Sequence, residues 1–206
     1  MENFNGARKS PNSTDYIVGI DEVGRGPIAG PVAVCSFICK PDFFDSIEIK
    51  VPLRDSKKLS SSQREKWFDY LSKCKKENTC NYAVSYVEAS NIDKFGIAPS
   101  IRKALQVSLA KVAKNPKEVF VYLDGGLYAP EEYINQETII KGDELHKVIS
   151  CASIVAKVSR DRLMTKYAEE YPDYGFDRHA GYGTKAHYES IKKNGQTPIH
   201  RKSFIH

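Results

Sequence analysis

Three apolar runs in this chain each end in acid. "YIVGI" leads into Asp21 and Glu22, "VFVYL" into Asp124, and "TIIK" through Gly142 into Asp143. In α/β sheets, ligands gather where strands end and irregular backbone meets a cleft. Carboxylates collected at such ends repel one another and raise one another's proton affinity unless cations lie between them. All-oxygen ligation of this kind suits Mg²⁺ or Mn²⁺, not zinc. Two such ions can flank a phosphodiester, one activating water and the other steadying the leaving oxygen. A single Asp-Gly is most simply a turn. Three acidic run-ends in one chain point instead to a shared cleft. There is one geometric demand. Asp21 and Glu22 are adjacent, so in a regular strand they face opposite ways. Meeting in one cleft requires a twist or turn, which Gly24 and Gly26 permit.

The residues around the acids suggest a phosphate-bearing ligand. In "GRG", Gly24 and Gly26 leave backbone bare for close approach, and Arg25 offers charge or hydrogen bonds to phosphate. A lone G-x-G is common, and plain loops share it. "DSKKLS" sets Lys57 and Lys58 just before a helix start, as phosphate contacts or as solvated lysines. Tyr182 lies between Gly181 and Gly183, which cannot wall it in. It can present a flat face to a sugar or base, or pack locally in its turn. His146, His179, His187, His200 and His206 form no paired metal spacing, and each reads as a surface or polar-contact residue. The absence of G-x-S-x-G and of G-x-x-x-x-G-K-[ST] disfavours a serine hydrolase and a P-loop nucleotide hydrolase.

The elements that must position these groups follow from pattern. With 206 residues, 41% hydrophobic and 28% charged, the chain suits one domain with a full core. The net charge of +5 is compatible with a nucleic-acid partner. The five cysteines have no C-x-x-C spacing, which suggests a reduced, cytoplasmic protein. The first residues lack an export core, and no run is long enough to cross a membrane. Residues 1–14 read as a flexible arm and 15–206 as one catalytic domain. "YIVGI", "PVAVCSFIC", "NYAVSYVEA", "EVFVYLD" and, more weakly, "ETIIKGD" read as strands. "PDFFDSIEIKVPLRDSKK" reads as a loop. Helices are expected over "LSSSQREKWFDYLSKCKKEN", "APSIRKALQVSLAKVAKN", "HKVISCASIVAKVSRDRLMTKYAEEY" and "TKAHYESIKKNG". Ser60 with Gln63, or Ser62 with Glu65, would cap the first. Small residues Ser150, Ala152, Ser153 and Ala156 would let the third pack closely on a sheet.

In order and spacing, "GIDEVGRGPIAGPV", "DSKKLS", "YLDGG", "KGD", "SCASIVAKVSRDR", "YPDYGF", "HAGYGT" and "HRKSF" resemble the ribonuclease HII family, from about Asp15 to Phe204. The resemblance implies an α/β, ribonuclease H-like fold: a mixed five-stranded sheet flanked by helices, with a helical C-terminal part. It implies an endonuclease acting on RNA/DNA hybrids and on ribonucleotide-containing duplex DNA, in ribonucleotide excision, replication and repair. The products would carry 3′-hydroxyl and 5′-phosphate ends. It implies Mn²⁺ or Mg²⁺, two ions in the active complex, and a monomer. Carried over residue by residue, it makes Asp21, Glu22, Asp124 and Asp143 the catalytic, metal-holding acids. It makes Gly24, Arg25 and Gly26 the reader of the ribose 2′-hydroxyl and Tyr182 the ring against the neighbouring deoxyribose. Lys57 and Lys58 become part of the nucleic-acid surface. Two departures are minor: Gly126 stands where many relatives carry Asn, and Lys202 where arginine is common. The "GRG" argues against the sister family, ribonuclease HIII. Two rivals use the same features: a phosphatase for small esters, needing no basic track, and a catalytically silent binding module, needing no intact acids.

Overall fold

The computed structural model describes residues 10–205. Runs of β-branched and aromatic residues build the sheet. Tyr16–Val23 (β1), Val32–Cys39 (β2) and Cys80–Val87 (β3) form an antiparallel meander. Val119–Asp124 (β4) and Gln136–Ile139 (β5) add in parallel on the other side of β1. The order β3-β2-β1-β4-β5 is the expected mixed five-stranded sheet. Strand β2 is buried at every position and β4 at all but its last, which requires cover on both faces.

Helices supply that cover. Ser61–Lys76 (α1) opens with a full capping box: the Gln63 amide donates to Ser60 Oγ (3.2 Å) and the Ser60 amide to Gln63 Oε1 (2.9 Å). Of the two expected caps, Ser60 with Gln63 is the one formed. Ala89–Phe95 (α2) leads through Gly96, at φ +83°, into Ile97–Val112 (α3). Gly142–Leu145 (α4) is a single turn before the long Lys147–Glu170 (α5). Phe176–His179 (α6) and Lys185–Asn194 (α7) complete the C-terminal part. On one sheet face Ile17, Phe37, Phe120 and Tyr122 pack with Trp67 of α1 and the apolar side of α5. All five cysteines are buried within this core. On the other face Val18, Ile20, Val121 and Leu123 pack with Ile101, Leu105 and Leu109 of α3. A third core gathers Ala29, Met164, Tyr174, Phe176 and Ile199, and so joins the "GRGPIAG" loop to the C-terminal helices.

Helix α5 approaches β1 closely because Gly19 has no side chain; a Cβ there would collide with the Val148 carbonyl. Three expectations change in detail. The loop after β2 contains 3-10 turns at Pro41–Ser46 and Ser56–Lys58. Strand β5 stops at Ile139, and Lys141 turns left-handed at φ 57°, so Asp143 lies in the first turn of α4 and not on a strand end. Of the arm expected over 1–14, residues 1–9 lie outside the described residues, and Pro11–Ser13 form a 3-10 turn.

Candidate active site

Parallel pairing brings the first two acids together. Strands β1 and β4 run in register to Ile20 opposite Leu123. Asp21 and Asp124 are the next residues, on the face shared with Ile17, Phe120 and Tyr122. Neighbouring strands lie about 4.8 Å apart, so the two carboxyls face one space. Asp124 Oδ1 accepts the Gly142 amide at 2.6 Å. That bond starts α4 and brings Asp143 beside Asp124. A Cβ at Gly142 would press on the end of the Ile149 side chain and come within 3.4 Å of Asp124 Oδ1.

Glu22 keeps strand alternation and leaves on the opposite face; the expected twist does not occur before Val23. The chain turns only at Gly24, at φ +85°. Yet the four acids share one field. Asp21 is raised well above the ordinary carboxylate range by burial, then by Glu22, with Asp124 and Asp143 adding. A hydrogen bond from Ser153 opposes this. Glu22 is raised by burial and then by Asp124, against Arg25, whose Nη1 lies 3.7 Å from its Oε1. Asp143 is pushed up to about 6 by burial, then Asp124, then Asp55. Among the described residues, no three His, Cys, Asp or Glu side chains already form a cage able to hold an ion.

Several supporting groups carry no readable sequence signal of their own. Ser153 has one hydroxyl proton, which goes to Asp21, so Ser56, 2.8 Å away, donates to Ser153. Ser150 Oγ donates to the Asp143 carbonyl at 2.7 Å. Asp55, buried, accepts the Lys57 amide at 2.9 Å and hydrogen-bonds the Asp143 carboxyl. The two Lys of "DSKKLS" part company. Burial alone would lower Lys57, but Asp55, Asp143, Asp21 and Asp124 outweigh it and raise the ammonium's affinity for its proton. Lys58 instead pairs with Glu144 of α4 at 2.7 Å.

Two fully buried arginines hold the loop after β1. Arg201 donates to three main-chain carbonyls: Gly24 (2.7 Å), Arg25 (3.1 Å) and Gly30 (2.9 Å). Arg160 of α5 donates to Pro31 (2.9 Å), Ala29 (3.2 Å) and, across to the next loop, Ala180 (2.9 Å). Desolvation lowers both guanidiniums' proton affinity, Arg201 to about 9, which still leaves it charged at neutral pH. The two glycines of "GRG" therefore differ. Gly24 is buried, and a Cβ there would strike the Arg160 side chain. Gly26 is exposed and has room; the nearest atom to a Cβ there is Tyr182 Cε1, at 3.9 Å. Arg25 extends outward with 63% of its side chain accessible.

Tyr182 reaches this place because its loop is sewn to the first one. The amides of Ile28 and Ala29 donate to the Gly181 carbonyl at 2.9 and 3.2 Å. Gly181 is bare because Ala29's carbonyl occupies its side-chain position. The Tyr182 ring stays 45% exposed beside Gly26. The histidines divide. His187 and His200 are buried polar contacts and not surface residues, and His146 stacks on Tyr122 at 4.6 Å. His206 lies outside the described residues.

The ribonuclease HII family model matches residues 18–206. A ribonuclease HII of Leuconostoc mesenteroides is 44% identical over 193 residues, 92% of this chain and 70% of that one. Its counterpart from Sulfurihydrogenibium sp. is 43% identical, covering 92% and 90%. In structure, the RNase HII of a PCNA complex from Archaeoglobus fulgidus aligns with a TM-score of 0.72 at 26% identity, over 92% of this chain and 95% of that one. Similarity of this extent in sequence and in fold reaches every segment that carries an acid, the glycine loop or Tyr182, and the chain belongs to the ribonuclease HII family, the hydrolases that act as ribonucleases H.

Proposed function

We propose that the chain cuts the RNA strand of RNA/DNA hybrids and nicks duplex DNA at embedded ribonucleotides. The cut leaves 3′-hydroxyl and 5′-phosphate ends, and the unit that makes it is 15–206. One observation carries this reading. Acids from three separate segments share a field, and the loop that follows the first of them sets a bare, exposed Gly26 next to an accessible tyrosine ring.

Asp21, Glu22, Asp124 and Asp143 are the residues that would hold divalent cations, Mg²⁺ or Mn²⁺. The donor set fits: it is all oxygen, and its mutual repulsion is the kind a cation relieves. When bound, such ions activate water and stabilise charge at a phosphate. The chain's own groups do the rest. Ser153 and the Glu22 amide orient Asp21, the latter at 2.7 Å from Oδ1. Lys57 sets positive charge next to the acids where a phosphate would lie. The backbone at Gly26 approaches a ribose 2′-hydroxyl, the group that separates RNA from DNA. The Tyr182 ring covers the adjoining deoxyribose, and Arg25 and Lys58 contact the backbone of the duplex.

The five buried thiols support a reducing, cytoplasmic setting, and we take the working unit to be a monomer, which light scattering would check. Among the described residues no helix is long and apolar enough to cross a membrane. The deciding test is digestion of a DNA duplex containing one ribonucleotide, with and without divalent metal. Metal-dependent nicking at the ribonucleotide, leaving 3′-hydroxyl and 5′-phosphate ends, is the expected result. An all-DNA duplex cut equally well would defeat the reading.

A further inference from the structure

Tyr182 sits between two glycines, so no neighbouring side chain steadies it. Three imidazoles beneath the loop do so instead. The Thr197 amide donates to His200 Nδ1 at 2.8 Å, and Thr197 Oγ1 lies 2.8 Å from the same nitrogen. His200 Nδ1 is thus an acceptor, and the ring's proton sits on Nε2. That nitrogen is 3.0 Å from His187 Nε2, so His200 donates and His187 accepts. His187 then carries its proton on Nδ1, 2.9 Å from the Tyr182 carbonyl. The relay has one direction: Thr197 to His200 to His187 to Tyr182. A third ring, His179, stacks on His187 at 4.4 Å and 18° from parallel. Its Nδ1 accepts the Gly181 amide (3.2 Å), which leaves Nε2 to donate to the Tyr174 carbonyl (2.8 Å).

Imidazoles therefore hold the main chain on both sides of the Gly181–Tyr182 peptide. His187 and His200 are buried and touch neither the acids nor the open face. A core that needed only volume here would be apolar, because buried polar groups are costly unless every one is bonded. This set is fully bonded, and its last donor is spent on Tyr182.

We propose that His187, oriented by His200, is a positioning residue for Tyr182: it fixes the carbonyl and so the angle at which the ring meets the sugar beside the cut. This rests on the reading of Tyr182 as the sugar contact. Neither histidine takes part in the chemistry.

The test is a double-mutant cycle on the full chain, with a duplex containing one ribonucleotide and saturating Mg²⁺. H187L keeps an apolar volume and loses the donor, while H187N places an amide nitrogen where Nδ1 was. Y182A and the H187L/Y182A pair close the cycle. H187L is expected to lose about tenfold to a hundredfold in kcat/KM, as misplacement of a contact group does. H187N should recover most of it, and the double variant should be no worse than Y182A. A double variant whose loss is the product of the single losses overturns the proposal, and so does H187N behaving like H187L. Y182A cutting as well as the wild type overturns the Tyr182 reading itself, a separate result. If H187L does not fold, ¹⁵N shifts of the wild-type rings still decide: the Nδ1–H form is expected at His187 and Nε2–H at His200. The reverse forms would end the proposal.

Discussion

At the residue scale, the acids are costly to hold together, a cost that the proposed cations would offset. Asp21 has a higher proton affinity in the fold than in the unfolded chain, because burial and then Glu22 penalise its charge. The ionised form is thus disfavoured by folding, and this cost is present once pH exceeds the unfolded value near 3.8. Asp21→Asn should therefore abolish nicking, by about a thousandfold or more, and yet raise the melting temperature in chelator. A gain of about 1 kcal/mol moves Tm by about 2–4 °C in a chain of this size. Wild type should gain stability from added Mg²⁺ or Mn²⁺, by about 2.7 kcal/mol at a hundredfold excess over Kd, and the variant should gain far less. An Asp21→Asn protein that melts lower in chelator would contradict the electrostatic argument. These acids were legible in the sequence because each closes an apolar run. Arg160 and Arg201 were not. A buried guanidinium bonded to carbonyls has no local pattern, and its partners lie as far as 131 and 177 residues away. Asp55 and Ser153 were likewise hidden, one as a loop acid and the other as a small packing residue.

At the element scale, a loop after β1 works because its two glycines do different jobs. Gly24→Ala puts a Cβ into Arg160 and forces an alanine to φ +85°, so it should cost about 2 kcal/mol or more of stability in urea unfolding. Gly26→Ala has open space and should change stability by less than about 0.5 kcal/mol. Its effect should appear in cleavage, as a higher KM for ribonucleotide-containing duplex. Equal loss of stability in both variants would show that the loop is not held as described. The C-terminal helices carry a pH dependence of their own. His187 is pushed down to about 4 by burial, against the bond to the Tyr182 carbonyl, with His179 and His200 adding to the depression. Between its unfolded value of 6.5 and about 4 the folded state binds fewer protons than the unfolded one. His187's contribution is complete above that window and disappears as pH falls through it, on the order of 3 kcal/mol in all. Denaturation of H187N, which lacks the titrating ring, should show a shallower acid limb than wild type; parallel limbs would speak against it. Of the elements, β1, β2, β3 and β4 were readable from apolar runs or alternation, and helices α1, α3, α5 and α7 from helical patterning. Helices α2, α4 and α6 were not, since seven, four and four residues make two turns or fewer and show no repeat. Strand β5 is only four residues long, and its weak signal ran on past the turn at Lys141.

At the scale of the whole molecule, a net charge of +5 surrounds a pocket of buried acids. Long-range attraction to a duplex must come from the exposed lysines and arginines, and on the proposed reading cations would cancel the local repulsion among the acids. Raising salt from about 50 to 200 mM should therefore raise KM for duplex severalfold and leave kcat nearly unchanged. A salt effect confined to kcat would place the electrostatics in the chemical step. The mixed topology was legible as a class, because buried strands and amphipathic helices alternate along the chain. The lacing of its far end to its beginning was not. Arg201 braces the carbonyls of Gly24, Arg25 and Gly30, and Ala29 bridges to His200. During synthesis the glycine loop emerges early and must wait, unbraced, until residue 201 has cleared the ribosome. On the proposed reading of that loop, a nascent chain halted before that point would carry Asp21, Glu22, Asp124 and Asp143 and still be unable to tell ribose from deoxyribose, so selectivity should be the last property the growing polypeptide acquires.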